Sequence, residues 1–265
     1  MELLKKLREM SGAGMLDCKK ALEESGNNLE KAIEILRKKG IAKAAKREGR
    51  EANEGVILLE VNAQGNEGYM VEVNAETDFV ARNEKFLSLA EKVMQVIKTA
   101  KPTNLDILLS SPLENSTVRE TIDELSGTIG EKMGIKQFAI VSGATVAGYS
   151  HLGGKIGVLV ALDVAKKNEL TADIAMQIAA TNPLYINPSE IPTTVIEKEK
   201  EIETEVLTKE GKPAAVIEKI LVGKINKYFE NNCLIKQEFI KDDSRKVEQI
   251  LDGAKILSFK RFSLE

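Results

Sequence analysis

The chain has 265 residues and a formal net charge of −3; 43% of its residues are hydrophobic and 30% are charged. This length can bury two modest cores, and this composition predicts a folded globular protein rather than a disordered one. No apolar run reaches the roughly 20 residues of a membrane helix, and the N-terminus lacks the apolar region of a signal peptide, so we expect a cytoplasmic location.

The inventory of reactive side chains is small. His151 is the only histidine, and the two cysteines, Cys18 and Cys233, lie far apart in the sequence. A histidine-based metal cluster and a structural zinc site are therefore excluded, and we expect both thiols to be free. The sequence has no glycine-rich phosphate loop, and its lack of tryptophan disfavours stacking on single-stranded nucleic acid. These exclusions favour a protein that needs no cofactor and works by binding another protein rather than as an enzyme.

Residues 1–40 predict three short helices joined by turns that contain glycine. Apolar residues at helical spacing place the helices near residues 3–10, 17–24 and 29–40, and Gly40 is predicted to end the third. This arrangement resembles a ubiquitin-associated domain. Met15 and Leu16 fall in the loop before the second helix, where they either dock a partner or close the small core.

A basic segment follows the predicted helices. Residues 37–50 contain seven basic residues and one acid, Glu48. We interpret residues 41–54 as a basic linker between domains, helical in part. A solvated linker is the favoured interpretation, and the alternative is an RNA-binding module that uses residues 37–50 to neutralise phosphates.

The remaining chain predicts one type of unit twice: two strands joined as a hairpin, followed by a helix. In the first unit, strands over 55–62 and 69–74 precede a helix over 84–99. In the second unit, strands over 145–151 and 155–164 precede a helix over 170–180. A further helix is predicted over 117–133, and further strands over 135–141 and 255–262.

The fold class is therefore predicted to be α+β, with the first half of the core at residues 55–140 and the second half at 141–265. An antiparallel helical hairpin is predicted to be inserted at residues 189–231, with helices over 194–208 and 214–231. Its apolar stripe is narrow, so we expect the hairpin to project from the core.

The segment 74–83 lies between a predicted strand and a predicted helix, where a scaffold often presents side chains outward. Thr77 or Asp78 can cap the start of a helix. Phe79 follows directly, and its residue type alone favours burial over exposure. Glu76 and Asp78 leave open a carboxylate enzyme site, although the sequence offers no base partner for them.

Two motifs resemble the signatures of one family. The run Thr77-Asp78-Phe79-Val80-Ala81, and the earlier run SGAGMLDCKKAL at residues 11–22, are similar to signatures of the elongation factor Ts family and occur in the same order. The resemblance implies an N-terminal ubiquitin-associated-like domain followed by a core of two similar α+β halves. It also implies a guanine nucleotide exchange factor that binds GDP-bound elongation factor Tu and promotes GDP release by displacing Mg²⁺ during translation elongation.

The resemblance also implies which residues act. The residues expected to dislodge the magnesium ion are Thr77, Asp78, Phe79 and Val80. Phe79 would be a wedge between helices of the GTPase. Further partner contacts are expected at Met15, Leu16 and His151.

The second half and the hairpin carry weaker implications. Residues 149–158 are similar to the family's second half, which touches the last β-barrel domain of elongation factor Tu. Gln177 stands where other family members can carry histidine, so a specific role for its side chain is not expected. The helical hairpin can serve for homodimerisation in the family, and neither a membrane nor direct nucleic acid binding is expected.

Overall fold

A computed structural model describes residues 2–11, 13–45, 47 and 49–264, with the backbone alone at 41–45. The chain begins with three helices, α1 (Glu2–Ser11), α2 (Met15–Glu24) and α3 (Leu29–Ala45). They enclose a small apolar core of Leu7, Cys18, Ala21, Leu22 and Ala32. The three predicted helices are present.

Two details of these helices differ from the prediction. Met15 and Leu16 form the first turn of α2 and do not lie in a loop. The third helix does not end at Gly40 but continues to Ala45, so the start of the predicted linker is helical. Gly40 lies inside α3 because the helix packs against another helix over this stretch, and this packing outweighs the weak helix propensity of glycine.

The first half of the core contains both strands and helices. Its elements in chain order are β1 (Glu54–Val61), β2 (Glu67–Ala75), α4 (Asp78–Ala81), α5 (Glu84–Ala100), α6 (Leu105–Ser110), β3 (Pro112–Leu113), β4 (Ser116–Thr117), α7 (Val118–Ile129) and β5 (Met133–Ser142). The helix predicted over 117–133 is shorter than expected. It ends at Gly130, whose φ of 95° is left-handed, and Met133 already belongs to β5.

The second half repeats this plan with an insertion. Its elements in chain order are β6 (Thr145–His151), β7 (Ile156–Leu162), α8 (Asn168–Thr181), α9 (Thr193–Lys209), α10 (Ala214–Asn232), β8 (Glu238–Phe239), β9 (Asp242–Lys246), α11 (Val247–Ile250) and β10 (Ile256–Ser263). Short 3₁₀ turns occur at Pro188–Glu190 and Leu234–Lys236.

Both halves contain a three-stranded antiparallel sheet, ordered β1-β2-β5 in the first and β10-β7-β6 in the second. In each sheet the second strand of the hairpin is central, and the third strand joins it after the intervening helices. The predicted α+β repeat is therefore confirmed. The two sheets share a core that includes Ile57, Met70 and Leu159, so each half supports the other.

The helices α9 and α10 form the predicted antiparallel hairpin, and each is the other's main packing partner. Leu207, Ile217 and Ile225 are buried, while Ile202 and Val222 are exposed. The dimer contact suggested for this hairpin stays a prediction. No helix among the described residues is both long and apolar enough to cross a membrane.

Candidate functional site

The segment after β2 turns sharply and presents one aromatic side chain to solvent. We call residues 76–81 the Phe79 corner. Thr77 caps α4, because its hydroxyl accepts a hydrogen bond from the Val80 backbone amide at 3.4 Å. Phe79 is 83% exposed, whereas Val80 is 7% exposed and belongs to the core of the first half.

The difference in exposure between Phe79 and Val80 has a geometric cause. Successive residues of a helix point about 100° apart, so a turn that buries Val80 and Ala81 directs Phe79 away from the core. The buried Val80 anchors the corner in the free chain, and its expected part in displacing the magnesium ion stays a prediction. Asp78 is partly exposed and pairs with Arg82 at 3.1 Å.

Two carboxylates tie the Phe79 corner to the loop between α7 and β5. Glu131 accepts hydrogen bonds from the Thr77 amide at 3.1 Å and from the Thr77 hydroxyl at 2.8 Å. In the opposite direction, Glu76 accepts a hydrogen bond from the Lys132 amide at 2.6 Å. Arg50 adds an ion pair to Glu76 at 3.1 Å. Contacts that run both ways between two short segments hold them in register.

The Glu76 contact should make the stability of the chain depend on pH. The hydrogen bond from the Lys132 amide, followed by the Arg50 guanidinium, holds the pKa of Glu76 below its usual value of 4.5. Because the folded pKa is depressed, this stabilisation is complete above the unfolded pKa and is lost as the pH falls through the folded value. The difference in unfolding temperature between the wild type and Glu76→Gln should therefore shrink below about pH 4.5. Thermal unfolding from pH 7 to pH 3 measures it, and a difference that stays constant over this range would contradict the assignment.

The tip of the β6–β7 hairpin lies across a groove from the Phe79 corner. The groove has a volume of about 390 Å³, and its lining includes Asp78 and Arg82 on one side and Leu152 and Lys155 on the other. The tip is fastened to the first half, because the Ile57 amide donates a hydrogen bond to the Gly154 carbonyl at 2.8 Å. The fold thus brings the corner and the tip, which are about 70 residues apart in sequence, to one surface.

Leu152 is a residue of this surface that the sequence did not single out. It is 58% exposed and adopts a left-handed φ of 51°. The sequence feature that could have indicated its exposure is a leucine between a histidine and two glycines at a predicted hairpin tip. His151 is also exposed, and its Nδ1 lies 3.1 Å from the Tyr149 hydroxyl, with the two rings stacked.

Met15 and Leu16 lie on the N-terminal helices, whose main contact with the core is between α3 and α7. Both are exposed, Leu16 at 75%. They therefore do not close the small core but present apolar side chains to solvent on α2.

The basic side chains of residues 37–50 that the structure describes make contacts within the chain. Arg37 pairs with Glu120 at 3.3 Å and with Glu124 at 3.5 Å. The remaining described contacts are ion pairs of Lys38, Lys39 and Arg50 with Glu34, Glu24 and Glu76, and a hydrogen bond from Arg47 to the Ser126 carbonyl. The side chains of Lys43 and Lys46 lie outside the described residues. This pairing weakens the RNA-binding alternative, which needs cations that are free to meet phosphates.

Gln177 has a specific structural role, contrary to the expectation from sequence. Its side chain is fully buried in α8. It donates to the Glu238 carbonyl at 3.1 Å and accepts from the Ile240 amide at 2.8 Å, and so satisfies backbone groups of the β8–β9 hairpin. Among the described residues, no three His, Cys, Asp or Glu side chains are grouped so that they could hold a metal ion.

Comparison with known proteins identifies the family. The family model described as Elongation factor TS matches residues 76–265. The Elongation factor Ts of a Nitratiruptor species is 46% identical over 278 residues, covering 98% of this chain and 91% of the relative. The Elongation factor Ts of Deinococcus deserti is 44% identical over 265 residues, covering 100% of this chain and 99% of the relative. The match of the family model to most of the chain and the identity to relatives over nearly their whole length show that this chain belongs to the elongation factor Ts family.

Proposed function

We propose that this chain is a cytoplasmic guanine nucleotide exchange factor that binds GDP-bound elongation factor Tu and promotes GDP release by displacing Mg²⁺. The observation that carries the proposal is Phe79, a large apolar side chain that is 83% exposed on a corner held by hydrogen bonds. An exposed aromatic residue on a rigid support is typical of an anchor for a protein partner. The chain acts through binding alone, and no covalent step is required of it.

The proposed mechanism is a wedge. Phe79 enters between two helices of the GTPase domain, and Asp78 makes polar contacts beside it. Movement of those helices disturbs the groups that hold Mg²⁺ against the phosphates of GDP. Loss of the cation leaves the phosphate charge uncompensated, so GDP dissociates faster.

The wedge cannot supply the whole effect. Weakening GDP binding a thousandfold requires about 4 kcal/mol of coupling free energy. Burying one phenylalanine contributes roughly 1.5–3 kcal/mol. The remainder must come from other docking surfaces, and the exposed residues Leu152, Met15 and Leu16 are the candidates that the fold offers. Because coupling is reciprocal, GDP must weaken binding of this chain by the same factor.

Release of a fluorescent GDP analogue from elongation factor Tu, followed by stopped flow with and without this chain, tests the proposal. At millimolar Mg²⁺ the chain should accelerate release strongly. In excess EDTA the metal is already gone, so the acceleration should fall towards onefold. If the chain accelerates GDP release at none of the Mg²⁺ concentrations, the exchange function is refuted. If it accelerates release equally with and without Mg²⁺, only the displacement of the metal is refuted.

A further inference from the structure

Both hydrogen-bond donors of Thr77 go to the same carboxylate. The Thr77 amide and hydroxyl reach the two oxygens of Glu131 at 3.1 Å and 2.8 Å. The same hydroxyl oxygen accepts the hydrogen bond from the Val80 amide at 3.4 Å. One hydroxyl group therefore connects Glu131 to the helix that carries Phe79.

The helix α4 needs external support. It spans only Asp78–Ala81, and a single helical turn does not hold its own geometry in water. On its inner side Val80 and Ala81 pack into the core, which fixes the depth of the turn. Apolar packing is not directional, whereas paired hydrogen bonds to a carboxylate are. Through Thr77, Glu131 therefore sets the direction in which α4 begins, and with it the direction of Phe79.

The position of Glu131 is itself held by α7. It follows Gly130, which ends α7, and the Ser126 hydroxyl of α7 donates a hydrogen bond to the Glu131 carbonyl at 2.5 Å. The amide of the next residue, Lys132, donates the hydrogen bond to Glu76 described above. The backbone at Glu131 is thus held on both sides in the free chain, and its carboxylate extends from this fixed position to Thr77.

We propose that Glu131 is a positioning residue for nucleotide exchange: through Thr77 it aims Phe79 at the partner, without contacting the partner itself. This inference rests on the exchange function proposed above. A loose corner would have to be ordered during docking, and the entropy lost in that ordering would oppose insertion of the ring.

A double-mutant cycle between Glu131 and Phe79 tests the proposal, with stimulated GDP release as the readout. Glu131→Ala should slow stimulated release about 5- to 30-fold, as expected for loss of charge-assisted hydrogen bonds. In a Phe79→Ala background the same change should have almost no effect, because there is no ring left to aim. Glu131→Gln should restore the rate to within about threefold, because the amide can accept from the Thr77 N–H and donate to its hydroxyl.

Glu91→Ala is the matched control, since it removes one negative charge from the exposed face of α5. It should leave the rate unchanged. Equal effects of Glu131→Ala with and without Phe79, or no effect in either background, would overturn the proposal.

Hydrogen exchange of the free chain gives a readout that does not depend on the partner. The amides of Thr77, Val80 and Ala81, which hydrogen-bond to Glu131 or to Thr77, should exchange faster in Glu131→Ala, while those of β2 should not. Unchanged hydrogen exchange at these three amides would also overturn the proposal, even if the proposed role in nucleotide exchange proved wrong.

Discussion

Replacing Phe79 by alanine should slow stimulated GDP release from elongation factor Tu by about 10- to 150-fold, while the unfolding temperature of the chain stays the same. The first expectation follows from the roughly 1.5–3 kcal/mol gained by burying a phenylalanine, with about 1.36 kcal/mol for each factor of ten in rate. The second follows from the exposure of the ring, which gives up little contact in the free chain when it is removed. Stopped-flow release of a fluorescent GDP analogue and thermal unfolding measure the two quantities.

Leu184→Ala provides a control for this experiment. Leu184 is also exposed, at 61%, but it lies in the segment after α8 and does not belong to the Phe79 corner. Its replacement should change the rate by no more than about twofold, which is the range expected for a surface residue outside the main contact. Equal losses in both variants would show that exposed apolar area in general, and not the wedge, drives exchange.

The repeated plan of the fold was predictable because its signals are local. Period-two apolar strands, turn residues and amphipathic helices recur in the same order in both halves, and each can be recognised within a short window. Helix ends are harder to place. The local pattern predicts that Gly40 ends α3, yet the helix continues to Ala45, because packing of α3 against α7 outweighs the weak helix propensity of glycine.

The candidate site was only partly predictable, because it depends on contacts between distant parts of the chain. The motif at residues 77–81 is visible in the sequence, but the exposure of Phe79 results from which neighbours reach the core. Glu131 lies 54 residues from Thr77, and nothing in its own neighbourhood indicates that it binds the corner. Leu152 becomes part of the same surface only when the two sheets pack together.

The contact between α3 and α7 joins the N-terminal helices to the core, and two glycines meet there. A Cβ atom added to Gly127 would lie 2.3 Å from the Gly40 Cα and 2.6 Å from the Gly40 carbonyl oxygen. These are backbone atoms, so no side-chain rotation can relieve the clash. A Cβ atom added to Gly40 instead meets its nearest neighbours at 3.8 Å, an ordinary contact distance. Replacement by alanine is therefore expected to have opposite effects on stability at these two positions.

Gly127→Ala should force the two helices apart and destabilise their packing by about 1–3 kcal/mol. Gly40→Ala should be neutral or stabilising by up to about 1 kcal/mol, because alanine favours a helix over glycine. Hydrogen exchange of α3 and limited proteolysis at residues 49–53 measure this docking, with Gly40→Ala as the matched control. Loss of protection in Gly127→Ala should be accompanied by slower stimulated GDP release, since Met15 and Leu16 would no longer be held in place relative to Phe79. Undiminished protection of α3 in Gly127→Ala would contradict the close backbone contact, and lost protection with an unchanged release rate would show that the N-terminal helices do not take part in exchange.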